Sequence, residues 1–382
     1  MKRPFVLADD KIPFLRGALE ALAEVSYLPG GAISPSDVYA SDALLTRTRT
    51  RCDASLLADS RVRLIATATI GFDHIDTAWC EARGIRWVNA PGCNAASVQQ
   101  YLTAAILEWV RRKGLRLGDT TLGIVGLGHV GSRVAAAGRA LGLRVLGNDP
   151  PRSEREGTEG FTPLVDLLEA SDIVSCHTPL TRRGPYATFH LASEAFFARM
   201  KQGALFINTS RGAVVDSEAL RSALETRLSG CILDVWEGEP ATDPVLREKA
   251  FLATPHIAGY SADGKANGTA ACVREVMDFF RLEGDAAWYP ANIPPPPMAQ
   301  YLEIDNRGKT PEAVFYEAVT HAYPIGEDSR RLKEAPGAFE RLREGYGVRR
   351  EFPCFTLRLR EAEPVVEAGL RKLGFNVIET LK

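Results

Sequence analysis

The glycines of "GIVGLGHVG" constrain this chain more than any other feature. Gly126, Gly128 and Gly131 fall in the spacing G-x-G-x-x-G. The spacing alone is a weak signal. Here, however, an apolar strand-like run, "TLGIVGLG", leads in, and a helix-like run, "HVGSRVAAAGRALG", leads out. In that setting the first glycine permits a tight turn. The second lets backbone N–H groups approach a pyrophosphate, and the third lets helix and strand pack closely. The start of the helix, with His129 and Val130, would face the phosphate charge. Asp149 ends the next strand in "LGNDPPR". An acid about 20 residues past the glycines suits the ribose hydroxyls of NAD and repels the 2′-phosphate of NADP. Arg152 lies close enough to weaken that discrimination.

The rest of the chain repeats the strand–helix alternation. "FVLAD", "DALLTRTRT" and "VRLIATAT" read as strands, and "FLRGALEALAEV" as a helix between the first two. In "LLTRTRTR" the strand period puts Thr46, Thr48 and Thr50 on one face and Arg47, Arg49 and Arg51 on the other. Ala96 to Gly114 reads as one long helix. Beyond the glycine loop the apolar runs "DIVSCHTP", "ALFINTS" and "GCILDVW" alternate with helical stretches, which implies a doubly wound parallel sheet covered on both faces. "YPANIPPPPMAQ", Tyr289 to Gln300, reads as a stiff linker. A small separate α+β unit follows. Its strand "CFTLRLR" places Phe355, Leu357 and Leu359 on one face. A thin unit with such a face wants a partner, and a second copy across a two-fold axis is the simplest one. A chain cut near Pro290 is then expected to stay folded and become monomeric. Basic residues of the tail, such as Arg349 and Arg350, are then expected to reach toward the partner's substrate phosphate.

Composition narrows the classes. The chain has 382 residues, with 46 Lys plus Arg against 48 Asp plus Glu, for a formal charge of −2. That balance offers no general attraction to nucleic acid or an anionic membrane. The seven cysteines form no C-x-x-C pair, so neither a disulfide framework nor a metal site is indicated. Free thiols, no signal-like start and no membrane-length apolar run lead us to expect a cytoplasmic enzyme.

Three predicted strand ends carry chemistry. "NTSRG" offers Arg211, "DVWEGEP" offers Asp234, Glu237 and Glu239, and "ATPHIAGY" offers His256. Oxidising an alcohol beside a carboxylate needs a cation for the carboxylate, a base for the hydroxyl proton and a partner that orients the base. Taken singly, each residue has a plainer use. Arg211 would pair with Asp216, either glutamate would be solvated in a turn, and a lone histidine is usually a core residue.

With "HTPL", "NTSRGAVVD", "DVWEGEP" and "PHIAGY" following the glycine loop in order, residues 40–285 resemble the D-isomer-specific 2-hydroxyacid dehydrogenases. The resemblance implies Arg211, Glu239 and His256 as the catalytic set, with Glu237 a bystander. It implies NAD as cofactor, with contacts from Thr178, Thr209, Ser210, Arg211, Asp234 and Gly259 beside the glycine loop and Asp149. "TATIGFDHID", "HTPLTRRGPYATFHL" and "APGAFERLREGYGVRREF" narrow it to a branch that acts on a small phosphorylated 2-hydroxy acid and carries a C-terminal dimerisation domain. Thr48, Thr69 and Tyr260 match substrate-binding positions there. Gln100 departs from the branch, which usually has a glutamate in the long helix. The implied domains are a flavodoxin-like substrate (lid) domain, 1–96 with 258–287; an NAD-binding Rossmann domain, 97–257; and an α+β dimerisation domain, 288–382. The implied assembly is a homodimer.

Overall fold

A computed structural model describes residues 3–378. The chain forms two compact units, Met1–Asn94 with Ser261–Pro295, and Ala95–Tyr260 with Pro296–Lys382.

The first unit holds a five-stranded parallel sheet of β1 (Phe5–Asp9), β2 (Glu24–Leu28), β3 (Ala43–Thr46), β4 (Leu64–Thr67) and β5 (Arg86–Val88). Its order, β2-β1-β3-β4-β5, is the flavodoxin-like one. The helix Ala262–Phe280 returns to this unit and buries Cys272, Val273 and Val276 against Val6, Ala8, Leu45 and Leu64. Gly268 allows the approach, because a Cβ there would stand 2.6 Å from the Ala68 carbonyl oxygen. Two expectations fail in this unit. Residues 14–23 form turns rather than a helix, and Gly17 at φ +87° and Phe14 at φ +62° break the helical path. The strand expected through Arg51 stops at Thr46. Past it, alternating Thr and Arg have no apolar face to bury, and Thr48 is exposed.

The second unit contains a six-stranded parallel sheet of β6 (Thr121–Val125), β7 (Arg144–Asn148), β8 (Ile173–Cys176), β9 (Leu205–Asn208), β10 (Gly230–Leu233) and β11 (Leu252–Ala253). The order is β11-β10-β9-β8-β6-β7, so the chain reverses direction across the sheet at β6, where the glycine loop emerges. Both faces are covered by apolar clusters, as the near-continuous apolar runs of the strands require.

The tail belongs to this same unit. Strands β12 (Tyr301–Asp305), β13 (Thr356–Arg360) and β14 (Asn376–Ile378) make a small parallel sheet with β13 in the centre. Helices Pro311–Ala322 and Pro364–Leu373 carry Phe315, Val319 and Leu370 into one apolar cluster with Leu102, Ile106 and Val134 of the cofactor-type fold. At Gly369 a Cβ would stand 2.6 Å from the Ala140 carbonyl oxygen, which measures how closely the last helix lies on helix His129–Ala140. The long helix Ala95–Lys113 is therefore buried nearly all round. Residues from Pro296 onward thus pack in one unit with Ala95–Tyr260. Phe355, Leu357 and Leu359 are already covered within the chain, at 0–1% exposure, so they leave no strand face waiting for a second copy.

Candidate active site

The glycine loop has the geometry its spacing implies. Gly126 sits at φ +92°, and a Cβ there would meet the His177 backbone at 2.9 Å. A Cβ at Gly131 would stand 1.9 Å from the Gly126 carbonyl oxygen, so that position tolerates no side chain. Gly128, directly before the helix that begins at His129 and Val130, has open space around it. Asp149 accepts the Leu127 N–H at 2.8 Å and the Arg152 N–H at 3.0 Å, which ties its carboxylate to the loop. Arg152 grips Glu156 through Nε and donates to the Leu127 carbonyl at 2.7 Å. The Thr178 hydroxyl is buried without a hydrogen-bond partner among the described residues, and Thr209 lies 3.5 Å from the His177 ring nitrogen Nδ1. An open helix start, an acid at the end of β7 and an orphaned hydroxyl at the end of β8 together fit a dinucleotide. With Arg152 spent on Glu156 and the loop, NAD should be preferred to NADP, as read by the ratio of kcat/KM values. A preference for NADP would overturn the assignment of Asp149 to the ribose.

Arg211 follows β9. Buried Asn208 shapes its loop, accepting the Ser210 N–H at 3.0 Å and hydroxyl at 2.7 Å and donating to the Arg211 carbonyl at 2.9 Å. Gly212 is required by crowding, since a Cβ there would stand 2.0 Å from the Trp236 carbonyl oxygen. Arg211 Nη1 donates to the Ser210 carbonyl at 2.8 Å. Asp216, its possible rival partner, instead caps the helix Ser217–Thr226, accepting two N–H groups at 3.0 and 3.1 Å.

His256 and Glu239 meet directly, Nδ1 to Oε2, at 2.8 Å. The other glutamate oxygen accepts the Trp236 N–H at 2.8 Å. Burial pushes the Glu239 carboxyl up, but the hydrogen bond and charge of His256, the Trp236 N–H and the charge of Arg343 outweigh it and hold the group below its usual range. An ionised carboxylate on Nδ1 leaves Nε2 as the ring's proton-transfer atom. Glu237 is engaged elsewhere, 2.6 Å from His190 Nε2 and 2.9 Å from the Ser217 hydroxyl.

The backbone at His256 is left-handed, with φ +58°. For such a residue that costs about 1–3 kcal/mol, so its surroundings must impose it. Asp234, at 1% exposure, accepts the Ile257 N–H at 2.7 Å, the Ala258 N–H at 2.9 Å and the Thr254 hydroxyl at 2.6 Å. Arg349 holds the carbonyl side of the same turn, donating to Ala258 at 2.6 Å and Ile257 at 3.2 Å. Its guanidinium lies 4.5 Å from the centre of the Tyr323 ring. At 4% exposure Arg349 is part of this clamp, which corrects the expectation that it reaches toward a partner's substrate. Gln100 joins helix to tail by donating to the Arg350 carbonyl at 2.9 Å. Gly259 and Tyr260 follow in the turn, closed by the Tyr260 N–H on Ile257 O at 2.9 Å. The Tyr260 ring meets Tyr346 edge-on at 6.3 Å, and the Arg343 guanidinium lies 5.6 Å from its centre.

Arg211, Glu239, His256, Tyr260 and the glycine loop thus share the second unit, whereas Thr48 and Thr69 lie in the first. Thr69 donates to the Gly71 carbonyl at 2.8 Å. Sequence reasoning missed the clamping role of Arg349, because "APGAFERLREGYGVRREF" lies far along the chain from the turn that Arg349 holds. Among the described residues no cluster suits a metal ion, and no helix is long and apolar enough to cross a membrane.

A family model described as D-isomer specific 2-hydroxyacid dehydrogenase, NAD binding domain, matches residues 95–258. An erythronate-4-phosphate dehydrogenase of Bacteroides fragilis is 49% identical over 348 residues, covering 91% of this chain and 97% of the relative. That of Cronobacter sakazakii is 39% identical over 375 residues, covering 97% and 98%. Among solved structures, D-lactate dehydrogenase from Aquifex aeolicus, complexed with NAD and lactic acid, is similar with a TM-score of 0.59 at 29% identity. It covers 72% of this chain and 95% of its own.

Proposed function

Because the chain belongs to the erythronate-4-phosphate dehydrogenases, within the D-isomer-specific 2-hydroxyacid dehydrogenase family, we propose that it oxidises 4-phospho-D-erythronate at C2, giving (R)-3-hydroxy-2-oxo-4-phosphobutanoate for pyridoxal 5′-phosphate synthesis. The observation that carries the reading is the 2.8 Å contact between His256 Nδ1 and Glu239 Oε2. A protein that only sensed NAD would have no use for that dyad.

When bound, NAD supplies the acceptor for the C2 hydride. Gly126, Gly128, Gly131 and Asp149 would hold it, with Thr178, Thr209 and Ser210 beside them. The Arg211 guanidinium holds the substrate carboxylate and the oxygen that becomes the carbonyl. His256 Nε2 takes the C2 hydroxyl proton. Glu239 keeps the ring in position and stabilises the imidazolium that forms. Thr48, Thr69 and Tyr260 are proposed substrate contacts. Asp234 and Gly259 support the cofactor side through the His256 turn.

The test is NADH absorbance with a panel of D-2-hydroxy acids, with and without a 4-phosphate. Turnover should be highest for the phosphorylated four-carbon acid. Equal rates on an unphosphorylated analogue would move the protein elsewhere in its family.

Glu239→Gln keeps the shape of the dyad and removes its charge. Without that charge the imidazolium that forms as the hydroxyl proton is taken loses its stabilising partner, so kcat for oxidation should fall while KM for NAD changes little. A kcat equal to that of the wild type would remove Glu239 from the role.

We further propose a cytoplasmic homodimer formed through residues 288–382. Support comes from the open edges of the small sheet and the exposed Tyr301, Val348 and Val365. Light scattering on the full chain decides the oligomeric state.

A further inference from the structure

The proposed substrate carries two anionic ends, a carboxylate and a phosphate. Arg211 accounts for the first only. A phosphate near Glu239, whose carboxyl is held ionised, needs a cation of its own. The strand-end motifs "NTSRG", "DVWEGEP" and "ATPHIAGY" offer none beyond Arg211.

We propose that Arg343, from the C-terminal segment, binds the substrate phosphate; this rests on the function proposed above. Arg343 sits on the short helix Phe339–Glu344 and is half-buried. Its guanidinium lies 5.6 Å from the centre of the Tyr260 ring, within cation–π range, and Tyr260 is four residues past His256. Its Nε is buried without a hydrogen-bond partner among the described residues. Its charge is also felt at Glu239.

Several other arginines of the C-terminal segment are committed elsewhere. Arg330 is shared by Glu327 and Glu334, Arg371 pairs with Glu367, and Arg360 pairs with Glu303. Arg349 spends Nη2 on the Ile257 and Ala258 carbonyls, which fixes it to the turn. Its Nε and Nη1 are buried without a hydrogen-bond partner among the described residues, but its guanidinium lies over Tyr323, 4.5 Å from the ring centre, whereas that of Arg343 faces Tyr260. A buried N–H without an acceptor is costly, and guanidinium and phosphate form a charge-assisted, bidentate pair. Arg343 is therefore a half-buried cation, fixed against a proposed substrate-contact ring, with donors left to fill. The D-lactate dehydrogenase structure, complexed with an unphosphorylated acid, covers only 72% of this chain, whereas the erythronate-4-phosphate relatives cover more than nine-tenths of it.

The test compares 4-phospho-D-erythronate with D-erythronate in the wild type, Arg343→Met and Arg343→Lys. Arg343→Met should raise KM for the phosphorylated acid roughly 10–100-fold, the scale of a charged hydrogen bond, and change kcat little. Rates with D-erythronate should fall much less, because no phosphate is present to miss the arginine and only the weaker effect of its charge on Glu239 is lost. Arg343→Lys should recover part of the loss as a point charge. Inorganic phosphate should inhibit the wild type competitively and Arg343→Met much less. NADH affinity and melting temperature check that the variants are intact. A wild type that does not prefer the phosphorylated acid would sink the proposed function itself. A wild type with that preference, kept intact in Arg343→Met, would overturn the role of Arg343 alone. Equal losses on both substrates would also overturn it, as a structural or pH effect on the dyad.

Discussion

Replacing His256 with asparagine is expected to lower turnover by at least ~100-fold while leaving NAD affinity nearly unchanged, the scale on which general acid–base catalysis operates. Asparagine is the informative choice. His256 is left-handed at φ +58°, a conformation asparagine adopts more readily than most residues, so the turn should survive the change. The clamps on that turn, Asp234 on its N–H groups and Arg349 on its carbonyls, do not involve the imidazole. Glu239 also keeps a possible amide partner. What is removed is Nε2, the atom proposed to take the C2 hydroxyl proton. The glycine loop lies after β6, whereas His256 lies after β11 at the far edge of the sheet order, so NADH binding measured by fluorescence should match the wild type. Near-normal turnover would show that another group takes the proton.

The glycine loop and the dyad were legible because their constraints are local. Gly126, Gly128 and Gly131 each answer a steric demand within a single strand–turn–helix, and such a demand leaves its mark in the spacing. The strand ends that carry Arg211 and Glu239 were visible through apolar runs of the right length. Glycines also marked a failure. Gly17 made a helix over residues 14–25 untenable, though the apolar spacing around it suggested one. The clamp by Arg349 was not legible, since it sits 93 positions beyond His256 in a stretch that reads as solvated charge. The tail misled for a related reason. The alternation in "CFTLRLR" shows that β13 has an apolar face but not what covers it. The helices on either side of β13 in sequence cover it within the chain.

That difference changes the expected result of cutting the chain. A protein ending at Pro295 should not persist as a folded monomer; its remaining cofactor-type unit should lose cooperative melting and NADH binding together. Removing the tail takes Phe315, Val319, Phe352, Phe355, Leu370 and Leu373 out of the cluster they share with Leu102, Ile106 and Val134. Each fully buried large apolar side chain contributes about 1.5–3 kcal/mol. About six of them match or exceed the ~5–15 kcal/mol that separates a typical domain from its unfolded state. The cut also uncovers the outer face of helix Ala95–Lys113, which is apolar because it is built to be enclosed. It deletes Ser329, whose hydroxyl accepts the Ala253 N–H of β11 at 3.0 Å, and Arg349, which holds the turn beside His256. His256 would thus lose its clamp even in molecules that stayed compact. Circular dichroism melts and NADH titration of the truncated chain are the measurement. A cooperative melt with normal NADH affinity would show that the tail is a detachable module and that the shared cluster contributes little. Loss of both would mean that the tail completes the cofactor-binding unit before it does anything for a second subunit.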